Sequence, residues 1–547
     1  MSDKRNTGFI VRQAAVLAIV GIAARLLGFL YRLPLTDLIG DEGNAIYGFG
    51  YAVYNFFLVI SSAGLPAAMS KLVSEQRAKG RYDTAHLIFK TALAIAAVAG
   101  IFFTAFIFLF ARDITEFFGH PESYLALQTL APTVFIFAIM ATIRGYFQGM
   151  SSTGPTATSQ FVEQFFNAIF SIVLAHAMWN FAAQRGYMQQ MYGAAGGTMG
   201  TTMGAFAGFI VISGLYFIAR PQIISETRQA RRISKVKKLY TPPKTKLASS
   251  IFLTSSTIIA GTAIFSIVNL IDTWLVIDRL YVAGFEPSPA RELFGQLTGK
   301  FNPITNLPAA ISSSLAMVLI PSIAAARAVG DDDDVKIKVN TAFRAAMLIT
   351  FPIAFGLFAL GPQIVAFLFP NHPYGGTLFT VGFASVIFLA ISQISTGVLQ
   401  AIGKISIPIA SAIIGAIGKI VISFVLIAIP GINIYGAIIG TTLCYLIAAL
   451  INCRYLCKYT GVKFDFKGIA LKPTIAGIAM VLGCFAIYHL AYIISGSNAI
   501  GVILAVFGGA LIYGGFMILI KGFNEDDFKV LPKGHKLASF LKSRGVI

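Results

Sequence analysis

Residues 145–155 read GYFQGMSSTGP, and residues 397–408 read GVLQAIGKISIP. Gly145 with Gly397 and Gln148 with Gln400 share one offset, 252 residues (397 less 145). Ser171 in FSIVL (170–174) and Ser423 in ISFVL (422–426) keep that offset, and the prolines 155 and 408 differ by a single insertion. A second match follows, YGAAGGT (192–198) against YGAIIGT (435–441). One such match arises by chance in apolar sequence. Two, in corresponding places, mean an internal duplication.

The duplicated segments lie in a chain of 547 residues that is 56% hydrophobic and only 12% charged. An ordinary soluble enzyme carries about 25% charged residues, so that class is excluded. Apolar runs of about 20 residues, enough to cross a hydrocarbon core, recur throughout. They are continuous rather than alternating, which argues against a β-barrel. The expected fold is an all-α polytopic membrane protein of about 14 helices. These fall at about 9–33, 45–72, 84–111, 123–150, 156–181, 193–219 and 248–281, then at about 297–326, 340–369, 374–401, 406–429, 434–457, 470–494 and 499–521.

Loop charge sets the orientation. Of the 42 Lys and Arg, only Arg112, Arg185 and Arg291 fall between spans on the side opposite the N-terminus. The rest lie within the spans, near span ends, or on the N-terminal side. By the positive-inside rule both termini are cytoplasmic. The net charge of +19 is thereby a topology signal, and no nucleic-acid partner is expected. The N-terminal MSDKR precedes an uncleaved first helix, because no small-residue cleavage site follows it.

Each copy of the repeat holds six spans, so both insert with the same topology. Parallel repeats of this kind are related by an axis along the membrane normal, with the substrate site at their interface. The domains expected are an N-terminal six-helix lobe (1–219), a basic cytoplasmic linker (220–247), a C-terminal lobe (248–458), two extra helices (459–522) and a cytoplasmic tail (523–547). Cys444, Cys453, Cys457 and Cys484 show no metal or disulfide spacing and read as packing residues. The run Asp331–Asp334 reads as a solvated loop.

The charges inside the spans carry the functional signal. Arg279 neighbours Asp278, and Arg344 lies near a cytoplasmic helix start, so local pairing or snorkelling accounts for both. Arg25 and Arg32 differ. They are two helical turns apart and share one face of the first helix. Arg144, Lys300 and Lys419 are further in-span cations, against only Glu163, Asp272 and Asp278. Two readings stay open. Each cation holds helices together through an acid or a carbonyl, or together they form an electropositive chamber for an anionic substrate. Arginine's fork suits phosphate, which it grips bidentately.

Residues 24–75, ARLLGFLYRLPLTDLIGDEGNAIYGFGYAVYNFFLVISSAGLPAAMSKLVSE, resemble the opening of MurJ-type lipid II flippases. The likeness is to the Gram-positive branch with its stage V sporulation protein B relatives, in the multidrug/oligosaccharidyl-lipid/polysaccharide exporter superfamily. It implies two six-helix lobes around a central cavity and alternating access. The cargo implied is undecaprenyl-pyrophosphate-linked peptidoglycan precursor, moved from the inner to the outer leaflet of the plasma membrane. It further implies that the last two helices form a groove for the lipid tail. Arg25 matches the arginine before LGF, Arg32 follows one position later than in Gram-negative relatives, and Lys300 stands near the place of another cavity arginine. The substrate-binding set expected is Arg25, Arg32, Arg144, Lys300 and Lys419, in a monomer working beside the cell-wall synthesis machinery. No cofactor, metal or catalytic residue is expected. Rival readings are a flippase for another polyprenyl-linked glycan and a multidrug or ion antiporter of the same fold. A glycosyl- or phosphotransferase would need clustered acids or histidines, whereas His120, His176, His372 and His489 are isolated.

Overall fold

The computed structural model describes residues 20–21, 23–236, 243–308, 322–324, 326–327 and 329–524. The start of the first expected span (9–19), residues 237–242 of the linker, most of the eighth span (309–321) and the tail from 525 lie outside the described residues. The described residues form helices and turns with no strand. Eleven helices among them are long and apolar enough to cross a membrane. Every expected span other than the first and eighth has a helix in its place. Helix α1 (23–30) leads into α2 (Arg32–Leu58) and α3 (Leu65–Ala78). Then come α4 (Tyr82–Phe117), α5 (Tyr124–Gly149), α6 (Gly154–Arg185), α7 (Gln189–Val236) and α8 (Lys244–Val282). The second half holds α9 (Pro287–Gly295), α10 (Asp332–Leu368), α11 (Thr377–Ala401), α12 (Ser406–Ile427), α13 (Tyr435–Thr460), α14 (Lys472–Ser495) and α15 (Asn498–Leu519).

The turn between the first two spans lies inside α2. Gly40 sits at φ 70°, ψ −179°, a backbone that a Cβ disfavours, and the helix breaks there. The broken ladder frees carbonyls, and Asn44 takes them. Its Nδ2 donates to Gly40 O at 2.7 Å and to Thr36 O at 3.3 Å, while Thr36 Oγ1 donates back to Asn44 Oδ1 at 3.1 Å. All three residues are buried, so Asn44 satisfies the Gly40 and Thr36 carbonyls inside the protein.

A second irregularity follows where Val59–Ala63 widens into a π turn just before Pro66, which has no N–H to offer the preceding turn. Ser61 and Ser62 Oγ both donate to Leu58 O, at 3.1 and 2.8 Å. The glycines of GYFQG let α5 lie directly on α3: a Cβ at Gly145 would stand 2.7 Å from Pro66 O, and one at Gly149 2.7 Å from Val73 Cβ.

Helices α6 and α7 meet through glycines at four-residue spacing, 196, 200, 204 and 208. A Cβ at Gly204 would lie 2.6 Å from Glu163 O, so the two backbones are in contact. The duplication is visible in packing. Ser171 Oγ donates to Gly197 O at 2.9 Å, and its counterpart Ser423 packs on Gly440, the counterpart of Gly197.

Helix α7 continues unbroken through Pro221 to Val236, so the basic stretch expected as a linker is helical up to that point. Arg77 at the end of α3 pairs with Glu226 on this extension at 3.1 Å.

The chain divides into two compact units, Met1–Trp274 and Leu275–Ile547. The division falls within α8, whose Leu247 and Ile251 join the core of the first unit with Leu65, Val73 and Ile212. In the second unit, α14 and α15 share one core with α10 through Met480, Cys484, Val502, Ala505, Met347 and Phe351. The helices outside the repeat are thus integral to that unit.

Candidate functional site

Helix periodicity puts Arg25, Gly28 and Arg32 on one face, with the arginines about 10 Å apart along the axis. Gly28, Tyr31 and Arg32 line a cavity of about 270 Å³ inside the first unit, facing Tyr51 and Tyr54 of α2, Glu163, Gln164 and Asn167 of α6, and Thr201 of α7. The Arg32 guanidinium lies over the rings of Tyr47 and Tyr51, 5.2 and 6.0 Å from their centroids. Aromatic faces support a cation without neutralising it, so the charge stays available to an anion. The hydroxyl of Thr201 is buried and has no hydrogen-bond partner.

A second cavity, about 260 Å³, adjoins the first and shares Leu58 and Phe137 with it. Arg144, Gln148, Thr156 and Gln160 give it its polar lining. Arg144 Nη2 donates to Glu163 Oε2 at 2.8 Å and Nε donates to Ser159 Oγ at 2.9 Å. Both members of this ion pair are about nine-tenths buried, with side-chain exposures of 8% and 10%. Glu163 therefore stands between two arginines, bonded to one and lining the cavity of the other. Ser159 in turn donates to Thr156 O at 2.9 Å, which fixes the α6 side of the junction.

The expected site residues are distributed as follows. Arg32 and Arg144 come together around Glu163. Arg25 is exposed and lines neither of these two cavities, although it shares the face of Gly28 and Arg32. Lys300 belongs to the second unit and is fully buried, its Nζ donating to the carbonyls of His372 at 2.7 Å and Tyr374 at 3.0 Å. Lys419, half-buried on α12, also belongs to the second unit. Of the discounted cations, Arg279 pairs with Asp278 as expected, Nε to Oδ2 at 2.8 Å. Arg344 does not snorkel: it is buried and reaches a distant acid, Asp465, at 3.0 Å.

Asn167, Thr201 and the tyrosines were not singled out from sequence. The offset of the repeat could have found Asn167, because 252 residues on it becomes Lys419. The duplicated position is an amide in one unit and a cation in the other. The isolated histidines are packing groups where contacts define them, as with His120, which stacks on Phe49 at 4.1 Å. Among the described residues no three His, Cys, Asp or Glu are placed to hold a metal ion.

Apolar helices, a six-helix unit present twice and a cationic cavity define a polytopic membrane transporter. The chain belongs to the polysaccharide biosynthesis protein family, whose model matches residues 10–327. The model for lipid II flippase MurJ matches residues 302–375. Lipid II flippase MurJ of Bacillus subtilis is 26% identical, the alignment covering 92% of this chain and 94% of that one. Stage V sporulation protein B of the same organism is 24% identical, covering 94% and 96%. A solved structure of lipid II flippase MurJ in an inward closed conformation superposes with a TM-score of 0.67 at 15% identity, covering 92% of this chain and 98% of that one. The resemblance drawn from residues 24–75 is borne out over most of the chain.

Proposed function

We propose that this protein is a flippase that carries lipid II from the inner to the outer leaflet of the plasma membrane by alternating access, with both termini in the cytoplasm. The observation that carries the reading is Arg32, held by aromatic rings at the edge of a polar cavity and sharing a helix face with Arg25. A guanidinium held this way is a ready ligand for phosphate oxygens, which it meets bidentately. The 26% identical relative named as a lipid II flippase supports the choice of cargo.

No covalent chemistry is required. In the inward-open state Arg25 and Arg32 take the pyrophosphate while the prenyl tail stays in lipid along α14 and α15, whose outer faces are apolar (Leu482, Leu490, Phe507 and Leu511 are exposed). Rocking of the two lobes then presents the headgroup outward, where it is released.

A flippase for a different polyprenyl-linked glycan is the second reading, favoured by the polysaccharide biosynthesis model matching the larger part of the chain. Both cargoes carry the same pyrophosphate. A cation antiporter fits less well, because Glu163, the carboxylate lining the first cavity, is already engaged by Arg144. The deciding experiment is lipid II translocation by the purified chain in proteoliposomes, with Arg32→Ala beside it. Wild-type translocation that Arg32→Ala abolishes is the expected result. Translocation of another polyprenyl-pyrophosphate glycan but not lipid II selects the second reading, and full activity in Arg32→Ala overturns the assigned grip.

A further inference from the structure

We propose that Glu163 is a tethered competitor for the anionic headgroup, holding Arg144 in the empty carrier and surrendering it when pyrophosphate enters. The inference rests on the flippase reading and adds to it a residue that sets affinity and release.

Three observations carry it. Glu163 lines the cavity of Arg32, whereas Arg144 lines the adjoining one, and the two cavities share Leu58 and Phe137. The ion pair, Nη2 to Oε2 at 2.8 Å, joins a residue lining one cavity to a residue lining the other. Arg144 also has a second tether, Nε to Ser159 Oγ at 2.9 Å, which keeps the guanidinium in place when the carboxylate lets go. Glu163 likewise keeps a neighbour, Gln164, whose Nε2 lies 3.5 Å from its Oε1.

The charge balance gives the pair a purpose. Two arginines at a poorly hydrated site repel each other and, once filled, hold a pyrophosphate too firmly to release it. An internal carboxylate offsets one cation in the empty state. It then competes with the cargo for that cation, which hastens departure. The competitor therefore weakens equilibrium binding and speeds turnover. A pair that merely cross-links α5 and α6 does neither.

The test uses the full-length protein in nanodiscs with lipid II as the probe, comparing wild type, Glu163→Gln and the double variant Arg144→Gln/Glu163→Gln. Removing the competitor alone is expected to tighten binding about tenfold and to slow translocation in proteoliposomes. The double variant, with neither competitor nor exchangeable arginine, is expected to bind roughly tenfold more weakly than wild type. Unchanged or weaker binding by Glu163→Gln overturns the inference while leaving the flippase reading intact. So does a double variant that binds as tightly as Glu163→Gln. If Glu163→Gln does not fold with Arg144 left uncompensated, the double variant decides: weaker binding than wild type supports exchange, and wild-type affinity overturns it. Wild-type protein that does not bind lipid II ends the lipid II reading, and this inference falls with it.

Discussion

Arg344 on α10 donates from Nη1 to Asp465 Oδ2 at 3.0 Å and from Nη2 to the carbonyl of Gly522 at 3.0 Å. One guanidinium thus joins the segment before α14 to the chain just after α15. At the other end of α10, Asn498 Nδ2 donates to Gln363 O at 3.1 Å, and Tyr488 OH donates to Asn498 Oδ1 at 2.9 Å. Residues 344 and 363 are about 28 Å apart along a helix, close to the thickness of a hydrocarbon core. The extra pair is therefore fastened to α10 at two levels about a hydrocarbon core's thickness apart.

Arg344→Met is expected to lower stability by roughly 1–3 kcal/mol, the range for losing hydrogen bonds to a charged group. The lower half of that range is expected, because Asp465 is 49% exposed and water replaces its partner. Thermal unfolding of the purified protein in detergent measures it. A melting temperature equal to wild type shows that the fastening contributes nothing.

Gly204→Leu tests the α6–α7 contact that positions Glu163. The backbone oxygen of Glu163 stands 2.6 Å from where the first side-chain carbon would go, so the helices must separate. Overpacking of this sort costs about 1–3 kcal/mol. It should also displace Glu163 and reduce translocation beyond what the stability loss explains. Gly214→Ala, where nothing lies within 4 Å, is the matched control and should melt as wild type.

Much of this architecture could be read from the sequence, because bilayer thickness and period alone dictate where helices lie. The repeat was readable because a glycine, a glutamine and a serine recur at one offset and a second glycine motif recurs close by. What could not be read is pairing between distant segments. Arg344 finds its acid 121 residues away, and Arg144 finds Glu163 on α6, a helix packed on the glycine stripe of α7. In-span charge shows that a partner or a cavity must exist; tertiary packing decides which. Lys300 illustrates the difference, an in-span cation whose hydrogen bonds go to backbone carbonyls.

Lys300→Met should therefore act on stability. His372 and Tyr374 carbonyls lose a shared charged donor, an effect of about 1–3 kcal/mol for groups left unpaired. Arg32→Ala should lower stability by about 0.5–2 kcal/mol through its lost contacts with the Tyr47 and Tyr51 rings, and should lose lipid II binding altogether. Paired melting and binding curves for the two variants separate these roles. A Lys300→Met protein that melts normally but no longer binds would reassign Lys300 to the substrate.

Translocation should depend on membrane potential. The cargo is anionic, and an inside-negative potential favours its outward movement by about 2.3 kcal/mol per charge per 100 mV. The carrier's own cations oppose this: Arg25 and Arg32 moving with the cargo cancel part of its charge, and the net charge transferred sets the response. Glu163 restores some of that negative charge, so Glu163→Gln should flatten the voltage dependence as well as slow turnover. The measurement is lipid II appearance in the outer leaflet of sealed proteoliposomes under a potassium diffusion potential, compared with vesicles in which an ionophore has collapsed it. Wild-type rates that do not change with the potential rule out an electrogenic step and leave a concentration gradient or a coupled ion as the driving force.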